Sequence, residues 1–125
     1  MTPADILVVE DEPDLARNIR ILLRGYGYAS RIATTLAEGL AELAAKQPDI
    51  LILDIMLPDG NGLEILRKIR LDPAQSNLAV IVLSSLAQKK EIEAGFAVGA
   101  NAYVPKPYDP EKLLSAIQLL LAEKR

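Results

Sequence analysis

Charged side chains follow apolar runs at three places in this sequence. Asp54 comes directly after the apolar residues 50–53, Glu10 and Asp11 follow a similar run near the N-terminus, and Lys106 follows a third. A charge at the mouth of a buried sheet is costly unless it serves a purpose. Acids and a lysine delivered to one edge of a sheet by different strands therefore indicate an assembled site. Its chemistry rests on carboxylates and an ammonium group, because the chain has neither histidine nor cysteine.

The segments that must position these residues alternate between two patterns. Short apolar runs predict strands at residues 6–9, 28–33, 50–53, 79–83 and 102–104. Helical periodicity lies between them, with leucine and isoleucine recurring on one stripe. Three local signals predict helix ends: Gly25 as a stop, Thr35 with Glu38 as a capping box, and Asp109 before a proline at the first helical position.

Five alternating βα units predict a single α/β domain over residues 1–125. The crossovers of a parallel sheet are right-handed, so the helices cover both faces. We expect a (βα)5 flavodoxin-like, doubly wound fold with strand order 2-1-3-4-5. Strands 1 and 3 are then neighbours at the topological switch point, which places Glu10 and Asp11 beside Asp54. The fifth strand lies at an edge, where Pro105 is tolerated without its N–H.

Bulk composition excludes several classes of function. The chain has 125 residues, 50% of them hydrophobic, and a formal net charge of -3. Lysine and arginine are dispersed, so we expect no direct binding of nucleic acid. No apolar stretch approaches the length that spans a bilayer, and the first residues do not resemble a signal peptide. These features predict a cytoplasmic protein without a membrane partner.

Four motifs in register resemble the receiver domain of two-component response regulators. They occupy residues 8–13, 53–62, 82–85 and 99–107, and the similarity covers the whole chain in order and with the family's spacing. Each motif alone is weak, but four together are specific. The resemblance implies a phosphorylation-controlled signalling switch and not an enzyme that acts on an external substrate.

The resemblance also implies a role for each matching residue. Asp54 is the expected phosphoacceptor, a carboxylate that becomes an acyl phosphate. Asp11, Asp54 and the main-chain carbonyl of Met56 are the expected direct ligands of Mg²⁺, with Glu10 acting through water. Lys106 is expected to pair with Asp54 at rest and with a phosphoryl oxygen afterwards.

A hydroxyl and an aromatic ring complete the expected switch. Ser84 is expected to donate its hydroxyl to the phosphoryl group, and Tyr103 to move into the space that it vacates. The altered surface is helix 4, strand 5 and helix 5. The implied partners are a histidine kinase or histidine phosphotransfer protein and an unknown downstream protein. No output domain follows helix 5 in this sequence, so the output domain is expected to be missing or separate.

Some of these residues also have plain structural explanations. Ser84 can simply end a strand, Tyr103 can be an edge-strand aromatic, and Lys106 can be a solvated surface residue. Glu10 and Asp11 can favour a helix N-terminus through its dipole. Asp54 has no convincing structural alternative, and the match of the motifs favours the functional explanation for the group.

Two functions from other classes remain as alternatives. A magnesium-dependent phosphotransferase or phosphatase with an aspartyl nucleophile usually carries a second aspartate two residues later, and Met56 occupies that position here. A nucleotide or flavin binder of the same fold needs a glycine-rich phosphate loop after strand 1. The acids at residues 10–12 replace that loop and would repel phosphate without a cation.

The sequence departs from the family pattern in two respects. Met56 and Leu86 flank the expected acyl phosphate with apolar side chains that cannot orient a hydrolytic water, so we expect slow self-dephosphorylation. Asn101, Ala102 and Ala116 stand where winged-helix members carry ion-pairing residues of their dimer. We therefore expect a monomer or a weak phosphorylation-dependent dimer of another kind.

Overall fold

The computed structural model describes residues 3–124, and five of the strands in this range form one parallel sheet. We number the sheet strands β1 to β5 in chain order: β1 Asp5–Val9, β2 Ala29–Ala33, β3 Ile50–Asp54, β4 Ala79–Ser84 and β5 Ala102–Pro105. The sheet order is β2-β1-β3-β4-β5, as the sequence predicts. A short antiparallel hairpin, Met56–Leu57 paired with Gly60–Asn61, follows β3.

Five helices alternate with the sheet strands and cover both faces. They are α1 Pro13–Gly25, α2 Leu36–Ala45, α3 Gly62–Leu71, α4 Lys89–Val98 and α5 Pro110–Glu123. The buried side chains of α1 and α5 share one core cluster, and those of α2 and α3 share the other. The doubly wound α/β class is confirmed. Within residues 3–124, the helices are too short or too polar to cross a membrane.

The three central strands have side chains that are buried on both sides of the sheet. Every residue of β1, β3 and β4 is buried, which matches their continuous apolar sequences. Alternate residues enter opposite clusters: Leu7 and Val9 contribute to one, Ile6 and Val8 to the other. Burial on both faces fixes the strand register, because a shift by one residue would exchange the two sets.

The predicted helix signals hold with small local differences. The Thr35 side chain accepts a hydrogen bond from the Glu38 amide. The Glu38 carboxylate accepts from the amide and hydroxyl of Thr34 and not from the Thr35 amide, so the reciprocal bond of the capping box is displaced by one residue. Helix α1 includes Gly25, and the positive φ of 83° falls on Gly27. Asp109 caps α5 by accepting from the Glu111 amide.

Arg70 joins the end of α3 to the segments on either side of it. Its guanidinium donates to the carbonyls of Ser76, Leu78 and Gly99 and to the side-chain oxygen of Asn101. These acceptors are neutral, and burial lowers the pKa of Arg70. The Asn101 oxygen also accepts from the Val80 amide. Asn101 therefore has a structural role that its position in the sequence does not reveal.

We expect Arg70→Lys to destabilise the domain by about 1–3 kcal/mol. The planar guanidinium of arginine reaches several carbonyls at once, whereas the single ammonium of lysine would leave part-buried acceptors unpaired. Urea denaturation measures this loss. Arg67→Lys on the exposed side of the same helix is the matched control, and we expect it to change stability by less than about 0.5 kcal/mol. Equal stabilities of the two variants would contradict a stabilising role of the Arg70 guanidinium.

Candidate functional site

The carboxyl ends of β1 and β3 bring the predicted acids together. Val9 is in register with Leu53 in this parallel pair, so the residues that follow, Glu10 and Asp54, emerge side by side. Both are buried, with 1% of Glu10 and 4% of Asp54 exposed. Asp11 lies at the same edge and is the most exposed of the three acids. The sequence predicts that the three acids converge at this edge, and in the structure they lie together there.

Lys106 places its ammonium between the two buried carboxylates. Its Nζ lies 2.6 Å from Glu10 Oε1 and 2.9 Å from Asp54 Oδ2. The Lys106 side chain is 12% exposed, so it is not a solvated surface lysine. It follows the edge strand β5, where the Lys106 amide donates to the Ser84 carbonyl beyond Pro105. The Lys106–Pro107 peptide bond is cis.

Burial and ion pairing act in opposite directions on the charged groups of this site. Burial raises the pKa of the Glu10 carboxyl, although its contact with Lys106 works against the rise. Burial alone would lower the pKa of Lys106, but its pairing with Glu10 and Asp54 outweighs burial and raises that pKa. The ammonium therefore stays charged, and one positive charge faces two buried carboxyl groups.

The three acids form a group with the right donors for a hard divalent cation. Glu10, Asp11 and Asp54 each offer a carboxylate oxygen, and these oxygens lie within 4.8 Å of one another. Glu10 Oε1 is buried, and Lys106 Nζ lies 2.6 Å from it. Carboxylate oxygens of this kind fit Mg²⁺.

The hairpin after β3 is fixed directly to Asp54. Asp54 Oδ1 accepts from the Met56 amide at 3.1 Å, and the Gly62 amide donates to the Ile55 carbonyl. A Cβ at residue 62 would lie 2.2 Å from the Asp54 carbonyl oxygen, so only glycine allows the chain to return this closely. The main chain of Met56 is thus held beside the carboxylate.

Met56 and Leu86 form the sides of an open groove next to Asp54. The groove has a volume of about 370 Å³ and is lined by the residues Ile55, Met56, Leu57, Gly60, Asn61 and Leu86. The side chains of Met56 and Leu86 are 58% and 37% exposed. Two apolar, partly exposed side chains therefore line this groove, which adjoins Asp54 through Ile55.

Ser84 and Tyr103 meet the same loop from different strands. Ser84 is fully buried, and its Oγ accepts from the Leu86 amide at 3.0 Å. The Tyr103 hydroxyl donates to the Leu86 carbonyl, and burial raises the pKa of Tyr103. Its ring packs on α4, where a Cβ at residue 95 would lie 3.0 Å from two ring carbons. Both predicted switch residues therefore contact the β4–α4 loop at Leu86.

Asp59 makes a long-range contact that the sequence patterns do not predict. Its two carboxylate oxygens accept from the amides of Leu36 and Ala37 at the start of α2. No local pattern could reveal this contact, because the partners are 22 and 23 residues away. The sequence gives a weak indication for Arg70. It lies on the same stripe of α3 as the buried residues Leu66 and Ile69, where a charged side chain requires hydrogen-bond partners.

Comparison with known proteins agrees with this geometry. The model of the response regulator receiver domain family matches residues 6–118. The KDP operon transcriptional regulatory protein KdpE of Escherichia coli (strain K12) is 38% identical over 117 residues, which are 94% of this chain and 51% of that protein. This chain spans about half the length of the curated relatives that it matches.

Solved structures agree in fold as well as in sequence. A putative response regulator from Chloroflexus aurantiacus J-10-fl superposes with a TM-score of 0.91 at 32% identity, over 96% of this chain and 98% of that one. The BeF3-activated DrrB receiver domain superposes with a TM-score of 0.85 at 30% identity, over 96% and 98%. This chain therefore belongs to the response regulator receiver domain family, the phosphorylation-dependent switches of two-component signal transduction.

Proposed function

We propose that Asp54 accepts a phosphoryl group from a histidine kinase or a histidine phosphotransfer protein. A carboxylate oxygen of Asp54 forms the new P–O bond while the P–N bond to the donor histidine breaks, and its electron pair returns to the imidazole ring. The chain is then an acceptor that promotes its own modification and does not turn over an external substrate. The observation that supports this proposal most directly is the contact of the buried Asp54 carboxylate with Lys106 Nζ at 2.9 Å.

The neighbours of Asp54 have separate tasks in this proposal. Lys106 pairs with Asp54 at rest and then neutralises a phosphoryl oxygen, since its flexible ammonium can change partners without leaving the site. Glu10, Asp11, Asp54 and the Met56 carbonyl hold Mg²⁺, Glu10 through water. When bound, Mg²⁺ neutralises charge between the carboxylates and the anionic phosphoryl group.

Ser84 and Tyr103 transmit the modification in this proposal. The Ser84 hydroxyl donates to a phosphoryl oxygen, and because its Oγ accepts from the Leu86 amide, its movement displaces the loop at Leu86. The loop that Leu86 occupies also accepts from Tyr103, so its movement changes the surface formed by α4, β5 and α5. Phosphorylation selects between two arrangements of this loop, and the surface presents the result to a partner or output domain.

The relatives point to the kind of response. KdpE is by its name a transcriptional regulator, and MtrA of Mycolicibacterium smegmatis is a DNA-binding response regulator. The matched region is about half of each, so the remaining half is outside the similarity. We propose that this domain controls a downstream partner or output domain, while its own surface does not bind nucleic acid.

Mass spectrometry after incubation with acetyl phosphate and Mg²⁺ tests the proposal. We expect the parent chain to gain the mass of one phosphoryl group and Asp54→Asn to gain none, because an amide is a far poorer nucleophile. Asp72→Asn, at the far end of α3, is the control for the loss of an acid outside the site, and it should still be modified. A parent that stays unmodified, or an Asp54→Asn chain that carries the adduct, would contradict the proposal.

We also expect Met56→Asn to shorten the lifetime of the phosphorylated chain. An amide at this position can hydrogen-bond an attacking water, and one such bond of about 0.5–1.5 kcal/mol corresponds to a roughly 2- to 10-fold faster hydrolysis. Release of phosphate from purified phosphorylated chain measures the rate. Met56→Leu keeps an apolar side chain and should decay like the parent. Equal rates for Met56→Asn and Met56→Leu would rule out shielding by Met56.

A further inference from the structure

Asp59 lies at the tip of the hairpin that carries Met56, and it is bound to a distant helix. Its Oδ1 accepts from the Leu36 amide at 2.8 Å, and its Oδ2 accepts from the Ala37 amide at 3.1 Å. These donors lower the pKa of the Asp59 carboxyl, so it is ionised at neutral pH. A carboxylate at a helix N-terminus also has a favourable interaction with the helix dipole.

The start of α2 is completed by this contact. The first amides of a helix have no partner within the helix. The Glu38 amide is satisfied by the Thr35 side chain, and the Gly39 amide begins the helical series by donating to the Thr35 carbonyl. Asp59 satisfies the two amides that remain, those of Leu36 and Ala37. The hairpin therefore caps two of the three amides at Leu36, Ala37 and Glu38.

Packing reinforces the same connection. Gly60 has a φ of 150°, and a Cβ there would lie 2.9 Å from Leu36 Cδ1, so the hairpin approaches α2 as closely as glycine allows. Leu36 and Leu57 pack in the same core cluster as Val9, the residue before Glu10. Gly39 of α2 also lies against Val9, where a Cβ would be 3.0 Å from the valine side chain.

These contacts join two segments that the proposed metal site needs. The first turn of α2 lies against the end of β1, which carries Glu10 and Asp11. The hairpin carries the Met56 carbonyl, and its inner end is bonded to Asp54. Asp59 connects the outer end of the hairpin to α2. The hairpin is thus held at its inner end by Asp54 and at its outer end by α2. Both contacts fix the distance between the Met56 main chain and the acids Asp11 and Asp54.

We infer that Asp59 is a positioning residue, which holds the hairpin so that the Met56 carbonyl meets a Mg²⁺ ion bound by Asp11 and Asp54. This inference rests on the proposed function, since it assumes that the site takes Mg²⁺. Residues that orient metal ligands without touching the metal typically affect affinity 10- to 100-fold. Asp59 holds only one of the proposed ligands, so we expect an effect at the lower end of that range.

Calorimetric titration with Mg²⁺ measures the effect without any phosphorylation. We expect Asp59→Ala to raise the Kd for Mg²⁺ roughly 10-fold. Asp59→Asn keeps the size of the side chain and one acceptor oxygen, so its Kd should lie between those of the parent and Asp59→Ala. The asparagine variant also keeps the test available if the alanine variant does not fold, which circular dichroism would reveal.

Asp72→Ala is the matched control for the loss of charge. Asp72 also accepts from a loop amide, that of Ala74, but it follows the far end of α3. We expect this variant to bind Mg²⁺ like the parent. Equal Kd values for Asp59→Asn and Asp59→Ala would assign the effect to charge, and they would overturn positioning, as would a Kd for Asp59→Ala that matches the parent.

The rate of phosphorylation by acetyl phosphate gives an independent readout. In Asp59→Ala we expect the Mg²⁺ concentration for half-maximal rate to rise with the Kd, while the rate at saturating Mg²⁺ stays near that of the parent. A loss that saturating Mg²⁺ does not restore would overturn the inference. A parent chain that binds no Mg²⁺ would refute the proposed function itself, whereas tight binding by Asp59→Ala would refute the positioning role alone.

Discussion

The ammonium of Lys106, shared by Glu10 and Asp54, is the interaction on which the site depends. Two buried carboxyl groups and one buried ammonium are stable together only while their geometry is maintained, because an unpaired buried charge costs several kcal/mol. One ammonium is shared between two carboxyl groups, and Asp11 adds a third acid at the same edge. A site of this kind is stable at rest and still attracts a cation, which is what a reversible phosphoryl acceptor requires.

The sheet fixes that geometry, and the loops adjust it. β1 and β3 are held by burial on both faces, so Glu10 and Asp54 have little freedom to separate. Lys106 comes from an edge strand and a loop, and the Met56 main chain comes from a hairpin. Lys106 and the Met56 main chain therefore lie on the more adaptable segments, and the proposed acceptor Asp54 lies at the end of a fully buried strand.

Local sequence patterns were sufficient to predict the strand order and the meeting of Glu10, Asp11 and Asp54. This succeeded because continuous apolar strands, separated by amphipathic helices, have few ways to pack. The pairing of Lys106 with Asp54 came from the family resemblance, and no periodicity implied it. The contact of Asp59 with α2 was out of reach, since it joins elements that are distant in sequence. Such contacts depend on how a loop lies after folding.

The most direct test of this account is a crystal structure of the chain with Mg²⁺ and beryllium fluoride, a mimic of the phosphoryl group. The account predicts beryllium bonded to a carboxylate oxygen of Asp54, with the cation held by Asp11 and Asp54. Lys106 should have moved from the carboxylate to a fluorine atom. Beryllium on another residue, or an unmodified Asp54 still paired with Lys106 at saturating concentrations of both reagents, would contradict the account.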